Sequence, residues 1–191
     1  MKKIVFFILF CFISLVNAQK KKAPAASPVL AKVENLVLEL KGGNLQLVQM
    51  EGTKAKETVV IQANATALKP VDCKIIPFTA SGSKLYAVSW TEKKTVTTTD
   101  KTEEITTITH AIYEWASKKQ VFFNTQVTNN ITEKVYLDRN KNASETQMRV
   151  RREGYELVIN PDGTVTQKNK TTTLTWTFDA TSKAMVQVKK K

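Results

Sequence analysis

The sequence predicts an all-β protein: an antiparallel up-and-down meander, barrel-like or two-layer, after an N-terminal signal peptide. Three observations carry this expectation. Short runs from about residue 33 alternate apolar and polar residues with period two. Thr, Val and Ile, stiff at χ1 and suited to a pleated surface, recur in them. Clusters of Gly, Asn, Asp and Pro break the chain at hairpin spacing.

The first residues have the three parts of a secretory signal. Lys2 and Lys3 form a basic start, Ile4 to Val16 is an apolar run interrupted only by Ser14, and Val16-Asn17-Ala18 offers a cleavage site between Ala18 and Gln19. The run is shorter than the roughly 20 residues a membrane-spanning helix needs, and no later stretch is long and apolar enough. Residues 1–18 are therefore read as a signal peptide, giving a secreted or periplasmic mature chain with no transmembrane span. Residues 19–32, lysine-rich and then Ala/Pro/Ser-rich, are read as a disordered linker. Residues 33–191 are read as a single antiparallel β domain. A chain of this size buries roughly 70% of its unfolded surface, so packing alone can hold it. Cys73 is the only cysteine beyond the signal, and no internal disulfide is possible.

Each strand can be read in turn. Leu36, Leu38 and Leu40 share a face; Gly42-Gly43-Asn44 turns the chain; Leu45 and Leu47 return. Val59 and Ile61 alternate with Val60, while Tyr86, Val88 and Trp90 form a further face. Val121 and Phe123 form another face, expected to line the inner wall, and Met148 and Val150 precede a turn at Glu153-Gly154. Tyr155, Leu157 and Ile159 lead into Asn160-Pro161-Asp162-Gly163, where Pro presets φ and Gly supplies a positive φ. Leu174, Trp176 and Phe178 then alternate with threonines, and Met185 to Val188 closes the series. Residues 103–118 are ambiguous. Ile105, Ile108, Ile112 and Trp115 recur at helical spacing, but β-branched neighbours favour a strand.

Catalytic and metal chemistry finds little footing, and the chain is expected not to be an enzyme. His110 is the only histidine, so a His/Cys zinc cluster cannot form and any serine triad would have to use it. No phosphate-binding glycine pattern occurs, and no cofactor is expected. Asp138, Asn140 and Asn142 imitate the start of a calcium loop, but Ala143 stands where Gly is needed and Arg149 where Glu is needed. Glu103 and Glu104 would point to opposite faces, and so not share a site, if their segment is extended.

Charge is the property with consequences for partners. The chain carries 29 basic and 17 acidic residues; two of the 29 are Lys2 and Lys3, so the cleaved form keeps 27 against 17. Arg149 and Arg151 would project together if Met148 and Val150 face inward, and they are the candidate anion contact. No aromatic residues interleave with the basic clusters, so nucleic acid is not expected. Anionic lipid or acidic polysaccharide is the expected partner class, and the oligomeric state is left open. In composition alone the chain resembles exported bacterial proteins and no named family. The sequence leaves the molecular role open between two readings: an exported non-catalytic protein whose basic surface engages an anionic partner or serves a structural role, or a carrier of a lipid or other apolar ligand in a curved sheet.

Overall fold

A computed structural model describes residues 28–188, so the signal peptide and its cleavage pair Ala18 and Gln19 lie outside the described residues. Every strand pair is antiparallel and joins neighbours in sequence, which is the expected meander. The sheets do not close into a barrel. Three open sheets stack instead, and the middle one is covered on both faces.

The first sheet contains β1 (Val29–Val33), β2 (Leu36–Lys41), β3 (Asn44–Glu51) and β4 (Lys54–Gln62). Leu38 pairs with Leu47 and Leu40 with Leu45, so the period-two leucines form one apolar wall. The β2–β3 turn needs positive φ at two successive positions, and Gly42 (57°) and Gly43 (77°) supply them. Strand β1 starts at Val29, inside the stretch read as linker. Its pairing with β2 satisfies its backbone, and Leu30, Ala31 and Val33 pack on the core.

The second sheet contains β5 (Val71–Ala80), β6 (Ser83–Thr97), β7 (Lys101–Glu114), β8 (Lys119–Tyr136) and β9 (Ser144–Gly154). The ambiguous segment is therefore strand over most of its length. Leu85 to Val88 are all buried, because alternate residues feed different cores. Tyr86, Val88 and Trp90 meet the leucine wall of the first sheet. Leu85 and Ala87 face the other way, where Val165, Phe178 and Met185 of the third sheet cover them. That sheet contains β10 (Glu156–Ile159), β11 (Val165–Lys168), β12 (Thr173–Asp179) and β13 (Ala184–Gln187).

Two expectations about facing need correction. Ile112 pairs with Phe122 but Tyr113 pairs with Gln120, so Val121 is an extra residue in a bulge. The bulge breaks alternation: Val121 and Phe122 both join the second core, and Phe123 is 54% exposed. Met148 and Val150 do not face a core either; they are 81% and 55% exposed. Neither core includes any residue from 92–108 or 126–154, so this end of the middle sheet is a tongue that no other sheet covers among the described residues, with Ile131 buried by its neighbours' side chains.

Candidate anion-binding cleft

The tongue meets the third sheet at a corner, where an open cleft of about 760 Å³ lies between them. Gly154, at φ 77°, turns the chain from β9 into β10 directly above Thr125. A chain of amides fixes the corner from below. Trp176 Nε1 donates to Gln167 Oε1 (2.8 Å), Gln167 Nε2 donates to Asn124 Oδ1 (2.8 Å), and Asn124 Nδ2 donates to the Tyr155 carbonyl (2.9 Å). Asn124 and Gln167 are both buried, so their full pairing is what makes this placement tolerable.

Alternation then decides what lines the cleft. Gln167 points inward, so Lys168 beside it points out. Asn169 Oδ1 accepts from the amides of Thr171 (3.0 Å) and Thr172 (2.8 Å), closing the turn that carries Lys170 to the rim. From the opposite side β9 brings Arg152, on the same face as Val150. Gln126, Asn169 and Thr171 add amide and hydroxyl groups to the walls.

Among the described residues, no carboxylate pairs with Arg152, Lys168 or Lys170 within 4.0 Å. Two glutamates border the cleft. Glu153 is held by Arg151, and Glu156 stands across the ladder from Lys168. Three unpaired cations facing two glutamates give the cleft a positive excess.

Arg149 and Arg151 do project from one face, as their spacing requires, but each already has a carboxylate. Arg149 Nη2 lies 3.2 Å from Glu133 Oε2, and Arg151 Nη2 lies 2.6 Å from Glu153 Oε1. These arginines are mostly exposed, so each pair is worth at most about 1 kcal/mol. Their face is also the opposite one from Arg152. The cleft cations were missed because Lys168 and Lys170 approach Arg152 only through the β9–β10 corner. The nearest sequence signal was Arg152 itself, one residue and one face away from Arg151.

The remaining candidate groups are engaged elsewhere. Asp138 accepts from the amides of Asn142 (2.9 Å) and Ala143 (3.1 Å), so its carboxylate caps its own loop. Glu114, 6% exposed, accepts from Ser117 through both amide and hydroxyl, and this bonding holds its carboxyl below the usual range. Glu103 is ion-paired with Lys101. Cys73 is half-buried against the first core, and burial pushes its thiol up.

His110 lines a separate recess of about 320 Å³, with Ser89 across the ladder and Ile76, Ala87 and Ile159 among its apolar walls. Its Nδ1 is buried with no hydrogen-bond partner among the described residues, and burial lowers its pKa below the ordinary 6.5. The unfolded chain therefore binds a proton that the folded chain refuses, so stability falls as pH drops below about 6.5. A urea midpoint lower at pH 5.5 than at pH 7.5 is expected, with the difference shrinking in His110→Gln. An unchanged difference in the variant would remove His110 as its source.

No protein-family model, curated protein or solved structure matches this chain.

Proposed function

We propose that this chain is an exported, non-catalytic binding protein whose corner cleft holds a segment of an acidic polysaccharide. The observation that supports this reading is the convergence of Arg152, Lys168 and Lys170 from two sheets without a carboxylate partner among the described residues. A carboxylated or sulfated sugar offers two things such a cleft can use. Its anions match guanidinium and ammonium donors, and its hydroxyls match the Gln126, Asn169 and Thr171 side chains. A membrane surface would favour a protruding basic face over a recess with polar walls. The signal-like first residues and the basic excess support export and an anionic partner.

The carrier alternative has weaker support. The sheets stay open, and the mainly apolar recess beside His110 has a volume at the low end for a ligand pocket, about 300 Å³.

Charge removal tests the cleft. The combined change Arg152→Gln, Lys168→Gln and Lys170→Gln is expected to weaken binding of a heparin oligosaccharide by on the order of 100-fold, at roughly 1 kcal/mol per exposed contact. Removing three charges elsewhere (Lys93→Gln, Lys94→Gln, Lys119→Gln) is expected to change it by less than about threefold. Titration calorimetry at two salt concentrations reads both, with weaker binding at the higher salt. Equal losses from the two triples would mean diffuse charge attraction and reject the cleft. Binding to anionic vesicles but not to the oligosaccharide would reject the polysaccharide.

A further inference from the structure

Among the described residues the outer edge of β9 has no partner strand, and its protection is charge alone, from two glutamates and three arginines. All of its eleven residues are exposed, and it pairs with β8 from Gln126↔Gly154 to Tyr136↔Ser144 without a register shift. Sheet edges are commonly blunted by proline, lysine or a bulge. The opposite edge of the same sheet has all three: Lys74 and Pro77 lie in β5, and the β5–β6 register shifts between Val71 and Lys74. Strand β9 has neither proline nor lysine, and its middle presents Met148 and Val150.

We propose that β9 pairs antiparallel with β9 of a second copy of this chain, about a two-fold axis at Met148. The charge pattern selects both the partner and the register. A two-fold pairing sets residue i opposite a residue of the same face, so candidate registers differ by where the axis falls. With the axis at Met148, Glu145 lies opposite Arg151 of the other copy, twice, and Arg149 lies opposite Gln147. On the other face Met148 meets its own copy and Thr146 meets Val150, which brings together the exposed apolar groups of β9.

Other registers are poorer. Matching the strands end to end sets Glu145 against Glu153 and Arg149 against itself. An axis at Val150 sets Arg149 against Arg151. An axis at Gln147 keeps a Glu145–Arg149 match but shortens the ladder, from Ser144–Arg152 to Ser144–Val150. Like charges directly opposite are destabilising and opposite charges favourable, so the Met148 register is preferred. The free backbone N–H and C=O groups of the edge supply the rest of the ladder.

Sedimentation velocity of the full chain over the micromolar range tests this. The wild-type chain is expected to dimerise, Glu145→Arg and Arg151→Glu each to weaken the dimer about tenfold, and the two together to restore it. Both positions are exposed in the single chain, so unchanged far-UV circular dichroism, and an unchanged thermal midpoint at a concentration where every form is monomeric, verify folding. A wild-type monomer at every concentration overturns the proposal. So does a dimer indifferent to both single changes, or one that the double change fails to restore.

Discussion

Truncating Phe178 to alanine is expected to lower the unfolding free energy by about 3–5 kcal/mol, most of the stability of an ordinary domain. Phe178 is 2% exposed and sits in the second core with Ala80, Leu85, Ala87, Ile112, Val165 and Met185. It pairs with Met185 across the β12–β13 ladder, and its carbonyl accepts from Ser81 Oγ at 2.5 Å, tying the third sheet to the β5–β6 turn. The cavity left by the ring cannot collapse easily, since the backbone on both sides belongs to hydrogen-bonded ladders. Phe123→Ala is the matched control. With Phe123 54% exposed, that change is expected to stay within about 0.5 kcal/mol.

The same experiment tests whether the two cores unfold together. Leu85 and Tyr86 are neighbours on β6 yet belong to different cores, so neither core can lose the middle sheet alone. Urea unfolding followed by tryptophan fluorescence and far-UV circular dichroism should give one coincident transition, shifted whole by Phe178→Ala. Two transitions, with only one of them moved, would show that the third sheet folds separately.

Gly154→Ala is expected to cost about 3 kcal/mol or more, although it adds a single methyl group. The residue has φ 77°, and an added Cβ would overlap the Thr125 carbonyl oxygen while lying 3.1 Å from Thr125 C and 3.3 Å from Gln126 Cα. These are backbone atoms of β8 and cannot rotate away. Gly82→Ala separates strain from collision: its φ is 76°, but nothing lies within 4 Å of the added Cβ. Its cost should be only the left-handed penalty of about 1–2 kcal/mol. Urea midpoints of the two variants give the comparison. Gly154→Ala should also weaken oligosaccharide binding, because the β9–β10 corner that sets Arg152 against Lys168 would have to move. Equal losses for the two glycines would mean that the close approach to Thr125 relaxes freely.

Much of the strand content was legible because side-chain alternation is a local property. Leu36, Leu38, Leu45 and Leu47 are all fully buried, and Asn160 to Gly163 makes the turn its residues require, with Gly163 at φ 81°. Errors arose where alternation was interrupted or where covering layers stopped. The bulge at Val121 has no residue signature, so Phe123 was placed inside although it faces solvent. Met148 and Val150 alternate as well as any core pair, but nothing in their own segment says that no sheet lies above them. The continuous run Leu85-Tyr86-Ala87-Val88 was the readable sign of a strand covered on both sides. Taking only its alternate members concealed the third layer.

The candidate site shows the same division. That Arg149 and Arg151 share a face follows from a two-residue period, and that is where they stand. Their neutralisation by Glu133 and Glu153 depends on the β8–β9 register and on rotamers. The approach of Arg152 to Lys168 and Lys170 depends on a corner whose stability comes from Gly154 and the Asn124–Gln167 amide chain.

The sequence by itself determined the class of this protein: antiparallel strands in meander order, their turn residues and a basic excess. Each is decided within a few residues, by side-chain period, backbone freedom or charge count. Only the tertiary structure decided that three sheets stack, that one strand serves two cores, that a tongue lies outside both cores and that three cations meet with no ion pair among the described residues. Those outcomes depend on which surfaces meet. Contact between residues far apart along the chain is set by the closing of the whole fold, and no local pattern records it.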